Sequence, residues 1–176
     1  SWFFKSSGCI SVDRQNKKEA HNAKEKAKEL FKSGYNCSQA VLGVFAQELG
    51  MDFKTAMKIS SPFGGGMGRM REVCGTVSGM FMTAGLIYGV EDSDAKAKGE
   101  LYKKIQELAG CFKEQNGSII CRELLEGVTS SNTPIPSART DEYYKKRPCV
   151  ELVGDAVEIL EQFIIENPIN NSVRFL

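Results

Sequence analysis

The sequence predicts an all-α fold: a single-domain helical bundle of about five to seven helices, with a Gly-rich turn leading into a buried hydrophobic helix. Three observations carry this expectation. Apolar residues recur at helical spacing along most of the chain, helix start and stop signals separate those stretches, and strand signals are nearly absent, with no internal repeat. The 176 residues, 41% hydrophobic and 26% charged, are enough for one core without disulfide staples. Residues 16–167 read as that domain, with tails over 1–15 and 168–176.

The elements follow in order. Ala20, Ala23, Ala27, Leu30 and Phe31 mark the apolar side of a helix from about Asn16 to Ser33, with Lys and Glu opposite and Gly34 ending it. Asn36 can cap a second helix to about Gly50, whose apolar side includes Ala40, Val41, Val44, Phe45 and Leu49. Asp52 can cap a short helix to about Ser60. Ser61 to Gly68 is too rich in glycine to continue it. A hydrophobic helix is expected from near Met70 to Tyr88. Ser93 or Asp94 then begins a long amphipathic helix through Leu101, Ile105, Leu108 and Phe112, ending near Asn116-Gly117. After a short segment from Cys121 to Glu126, Gly127 to Thr140 reads as a surface loop. A last helix runs from about Pro148 to Asn167.

Four of the six cysteines fall at predicted helix starts: Cys37 after Asn36, Cys74 after the glycine turn, Cys121 after Asn116-Gly117-Ser118, and Cys149 after Pro148. A helix start carries unpaired N–H groups and a partial positive charge, so a thiol there ionises more readily than one in mid-helix. The pattern makes these four the candidate catalytic residues of one shared site. Cys9 lies in an irregular stretch, and Cys111, late in a helix, reads as a small apolar filler.

The glycine turn is the second candidate feature. Gly64, Gly65, Gly66 and Gly68 can turn backbone N–H groups toward an anion, a thiolate or a cluster, and Gly75 and Gly79 follow on the next helix. These six are the candidate cofactor-binding positions. Gly75, Ser78, Gly79 and Gly85 equally give that helix a small-residue face for close packing. No Lys-Ser or Lys-Thr pair follows the turn and no strand precedes it, so nucleotide binding is disfavoured. Arg69, Arg71 and Glu72 flank Cys74 and can tune it.

Several function classes fall away. The 23 basic and 22 acidic residues are spread along the chain and leave no footprint for nucleic acid or an anionic membrane. Glycines and hydroxyl residues interrupt Val73 to Val90, so a membrane span is not expected. Trp2-Phe3-Phe4 before Cys9 reads as a tail rather than a signal segment, which makes the expected location cytoplasmic and reducing. Zinc-type Cys pairs, a Cys-x-x-Cys redox motif and a haem-attachment motif are all absent, and His21, the single histidine, lies on a charged helix. Three readings stay open. They are thiol–disulfide exchange or electron transfer, four thiolates holding an iron–sulfur cluster or another thiophilic metal, and a non-catalytic helical binding protein. In the thiol reading Cys74 is the expected nucleophile and Cys37 its resolving partner; in the metal reading Cys37, Cys74, Cys121 and Cys149 are the ligands. The redox partner is unknown, and an exposed helix face makes a homodimer conceivable.

Gly34-Tyr35-Asn36-Cys37-Ser38-Gln39-Ala40-Val41, Phe63 to Gly68, Glu72-Val73-Cys74-Gly75-Thr76-Val77-Ser78-Gly79, Cys121-Arg122-Glu123-Leu124-Leu125 and Cys149 together resemble the C-GCAxxG-C-C family. The resemblance spans roughly Ala20 to Gln162. It implies a bacterial, redox-active protein with four characteristic cysteines, often encoded near transporter genes and so a candidate transporter-associated protein. The four cysteines it carries over are Cys37, Cys74, Cys121 and Cys149. Thr76 stands where the family pattern has Ala, and Cys9 and Cys111 are additional.

Overall fold

The computed structural model describes residues 17–128 and 133–169. Cys9, the N-terminal tail, residues 170–176 and the side chain of His21 lie outside the described residues. Within them the chain forms eight α-helices: α1 (Lys17–Lys32), α2 (Cys37–Phe45), α3 (Phe53–Ser60), α4 (Gly75–Tyr88), α5 (Ala95–Asn116), α6 (Cys121–Leu124), α7 (Asp141–Lys146) and α8 (Cys149–Glu166). The all-α expectation holds, with one helix more than the upper end of the expected number.

The expected caps are in place. Asn36 and Gln39 form a reciprocal capping box on α2, Asp52 accepts from Thr55 N–H, and Asp94 accepts from Lys96 N–H. Two boundaries differ from expectation. α2 ends at Phe45, not Gly50, and gives way to turns. The hydrophobic helix begins at Gly75, not near Met70, because residues 65–71 contain a run of left-handed backbone that no right-handed helix can include. α7 was not anticipated: six residues with Tyr143 and Tyr144 in the middle give too short a period to read.

The two most extensive helix pairings are α1 with α8 and α2 with α4. Ala27, Phe31, Val41, Val77, Met80, Leu108, Phe112, Val153, Val157 and Leu160 belong to one buried cluster. Each large side chain among them contributes roughly 1.5–3 kcal/mol by leaving water. Gly79 brings α4 onto α2: a methyl group there would lie 2.8 Å from the Ser38 carbonyl oxygen and 2.9 Å from Val41 Cβ. Its role is the packing one. Among the described residues, no helix is long and apolar enough to cross a membrane.

Candidate thiol site

The floor of the site is residues 61–74. After a 3₁₀ turn (Ser61–Phe63), Gly65, Gly66, Met67, Gly68 and Arg69 all have φ between 60° and 70°, and Arg71 has φ 63°. Glycine adopts this conformation freely, but at Met67, Arg69 and Arg71 it costs on the order of 1–3 kcal/mol each. Hydrogen bonds within the turn hold it, from Arg69 N to Gly64 O (3.1 Å), Arg71 N to Gly65 O (3.3 Å) and Glu72 N to Gly66 O (3.2 Å). Gly66 admits nothing larger, since a Cβ would meet Cys121 Cβ at 2.6 Å and Glu72 N at 2.9 Å.

The chain then straightens and pairs with the segment before α6. Val73 and Ile120 form an antiparallel bridge, Cys74 N donates to Ile119 O (2.8 Å), and Cys121 N donates to Glu72 O (2.7 Å). Arg122 clasps both Glu72 oxygens at 2.9 and 3.0 Å. This seam brings the Cys74 and Cys121 segments together. Asn36 fixes the third cysteine from the other side: besides capping α2 it donates to Ser61 O (2.9 Å), tying the α2 start to the turn.

All four cysteines sit at helix starts. Cys37, Cys121 and Cys149 are the first residues of their helices and Cys74 is the N-cap of α4. All four line one cavity of about 260 Å³ and are free thiols. Cys37, Cys74 and Cys121 are buried and Cys149 is part-buried. Gly64, Gly65 and Gly68 also line the cavity, whereas Gly66 lies under Cys121 and Gly75 presses on Cys37, where a Cβ would be 2.7 Å from Sγ. Among the described residues no three Cys, His, Asp or Glu side chains form a group able to hold a metal ion. Cys111, expected as a small filler, packs against the core and is disulfide-bonded.

The thiols are not equivalent. The Cys74 thiol hydrogen-bonds Cys37, and with the Gly65 and Cys37 N–H groups and the Arg139 charge it outweighs burial and brings Cys37 down to about 6. Cys74 is pushed well up by the same hydrogen bond, by burial and by the Cys37 charge. Burial raises Cys121, opposed by Arg71, whose guanidinium lies 3.8 Å from Cys121 Sγ. Burial of its sulfur pushes Cys149 up to about 12, although the residue as a whole keeps some exposure. The acidity therefore runs opposite to the order expected from the flanking charges of Cys74. Arg71 is directed at Cys121, and the charge that acts on Cys37 is Arg139, far away in sequence.

Sequence reasoning missed the roof. Pro134, Pro136, Ser137 and Arg139, from the segment read as a surface loop, line the cavity together with Tyr143 and Arg147. Arg69 holds this segment through Thr133 O (2.7 Å) and Ser137 Oγ (3.5 Å). Arg139 donates to Phe31 O and Tyr35 O and stacks on Phe31, with its guanidinium carbon 4.3 Å from the ring centroid. Arg147 stacks on Tyr143 at 4.7 Å. The available signal was the spacing of Arg139, Tyr143 and Arg147, four residues apart and leading to Cys149.

The model of the family described as "Putative redox-active protein (C_GCAxxG_C_C)" matches residues 35–163. The chain belongs to the C-GCAxxG-C-C family. The matched span contains all four cavity cysteines, the glycine turn and the roof, and begins after α1. No curated protein and no solved structure matches the chain.

Proposed function

We propose that this protein is a dithiol redox protein in which Cys37 is the attacking thiolate and Cys74 the resolving thiol. The observation that supports this reading is the hydrogen bond from the Cys74 thiol to Cys37, at a helix start where Cys37 is depressed to about 6. A thiolate is the nucleophile in disulfide exchange, and one with a pKa near ambient pH combines abundance with reactivity. A thiol in contact with it is placed to close the disulfide. The pairwise contact favours thiol exchange, which needs two sulfurs within reach of each other.

The chain's own residues would divide the work as follows. Gly65 N–H and Arg139 stabilise the Cys37 sulfur anion, while the Gly65–Arg71 turn holds that donor in place. Cys74 keeps its proton until Cys37 has reacted, since the Cys37 charge opposes its ionisation. Once Cys37 is neutral in a mixed disulfide, that opposition is gone.

The test is oxidation of the reduced protein by diamide, followed by non-reducing peptide mapping. The expected result is one Cys37–Cys74 disulfide, reversed by dithiothreitol and absent from Cys74→Ser. Cys37 recovered as a free thiol after full oxidation of the other cysteines would sink the assignment.

A further inference from the structure

Thr76 stands in the first turn of α4, two residues after Cys74, and is fully buried. A threonine within a helix can satisfy its hydroxyl on the carbonyl four residues earlier. Thr83 does so on Gly79 O at 2.9 Å, and Ser78 reaches Cys74 O at 3.4 Å. For Thr76 that carbonyl belongs to Glu72, which precedes the helix and accepts the Cys121 N–H across the seam instead. The Thr76 hydroxyl is left without a hydrogen-bond partner. A buried hydroxyl in that state is costly, and a valine of the same shape would avoid the cost.

The Cys74 sulfur lies within reach of this hydroxyl. Cys74 is the N-cap of α4, yet its sulfur accepts no capping hydrogen bond from the helix. Its hydrogen bond with Cys37, then burial and the Cys37 charge, keep it protonated, with Cys121 a smaller opponent, whereas the Thr76 hydroxyl favours the anion. Cys37 already receives the Cys74 thiol and the Gly65 and Cys37 N–H groups. Resting on the dithiol reading above, we infer that Thr76 is the hydrogen-bond donor to the Cys74 sulfur in the step that closes the disulfide. Before that step the Cys37 thiolate has attacked an organic disulfide R–S–S–R, expelling one RS⁻ and forming Cys37–S–S–R. The Cys74 sulfur then attacks the Cys37 sulfur. The bond from Cys37 to SR breaks, the second RS⁻ leaves with the Cys74 proton, and the Cys37–Cys74 bond forms. Two electrons from the dithiol reduce one disulfide to two thiols. Negative charge develops on the Cys74 sulfur as its proton departs, and Thr76 can donate to it without breaking a bond elsewhere.

The experiment separates the two steps with one equivalent of a dipyridyl disulfide, whose thiopyridone product is coloured, on the reduced protein. The first release reports attack by Cys37 and the second reports closure by Cys74, with peptide mapping to identify each species. Thr76→Val should leave the first phase unchanged and slow the second by roughly three- to tenfold, moving its pH midpoint upward. Thr76→Ser, which keeps the hydroxyl, should stay close to wild type in both phases. The melting temperature of reduced Thr76→Val should equal or exceed that of the wild type, because an unpartnered polar group has been removed. A second phase that is unchanged in Thr76→Val, or slowed equally in Thr76→Ser, overturns the inference and leaves the dithiol reading standing. A lower melting temperature for Thr76→Val also overturns it, by showing that the hydroxyl serves the resting fold. A wild type that stops after one release, with the mixed disulfide persisting on Cys37, overturns the dithiol reading itself.

Discussion

The α1–α8 seam and the cysteine cavity are both places where helices meet, and they are built on opposite rules. In the seam Ala27 and Phe31 of α1 and Val153 and Val157 of α8 belong to one buried apolar cluster, while Lys24 and Lys28 reach Glu158 and Glu151 at 2.7 and 2.8 Å. Charges are paired, glycine yields to flexible neighbours, and both elements are regular helix. In the cavity four thiols and four arginines line a space without a carboxylate among the described residues, above a turn with three non-glycine residues in left-handed backbone. Places where a chain departs from local preference mark sites rather than scaffolds. The contrast supports the function proposed for the cavity and is consistent with a stabilising role for the seam.

The largest effect expected from breaking the cavity is chemical. Cys37→Ser should slow alkylation of the folded protein by iodoacetamide at pH 7 by roughly tenfold or more, because burial raises Cys121 and Cys149 and still opposes ionisation of Cys74 after its Cys37 partner is gone. Total alkylation kinetics with peptide mapping would show it, and a rate unchanged by the substitution would mean another cysteine carries the thiolate.

Next in size is the pair that compares the two glycines. Gly66→Ala puts a methyl against Cys121 Cβ and the Glu72 backbone at φ 70°, and should cost roughly 2–4 kcal/mol in urea unfolding. Gly154→Ala meets chiefly the far ends of the Lys28 and Lys24 side chains, at 2.6 and 3.0 Å, which can move. Helix propensity offsets that adjustment, so the net change should stay within about 1 kcal/mol. Equal costs at the two sites would erase the distinction between a rigid cradle and a tolerant seam.

A smaller effect comes from Glu161 on α8, whose Oε2 is buried without a partner. Burial, then the neighbouring charges of Glu158 and Glu48, raise it to about 8. The folded state thus holds this proton to higher pH than the unfolded chain. Stability from this group is complete below the ordinary carboxylate range and is lost as pH rises toward about 8. Glu161→Gln should raise the melting temperature at pH 9 by about 2–4 °C, equivalent to roughly 1 kcal/mol, with little change at pH 4. An equal gain at both pH values would place the cause in packing rather than ionisation.

Much of the architecture was legible because it rests on local signals. Asn36, Asp52 and Asp94 announced three helix starts, and the four cysteines stand at helix starts as their neighbours suggested. The start of α4 was misjudged because Met70 and Val73 continue the apolar pattern, while the positive φ angles of Met67, Arg69 and Arg71 depend on hydrogen bonds across the turn. The roles of the cysteines were less legible still. Their acidity depends on contacts across long stretches of chain: Cys37 with Cys74, Arg139 with the α2 start, and Arg71 with Cys121. No spacing rule reveals that a proline-rich segment ending in Arg139 closes over a thiolate.

The most direct test of the central claim is the pH dependence of Cys37 alkylation, followed by peptide mass in the wild type, Cys74→Ala and Cys74→Ser. The account predicts a wild-type midpoint near 6. It should move upward by a unit or more, on the order of a tenfold loss of neutral-pH rate, when alanine removes the donated hydrogen bond. Serine, which can still donate, should restore part of the shift. A Cys37 midpoint in the ordinary thiol range in the wild type, or one indifferent to both substitutions, would contradict it.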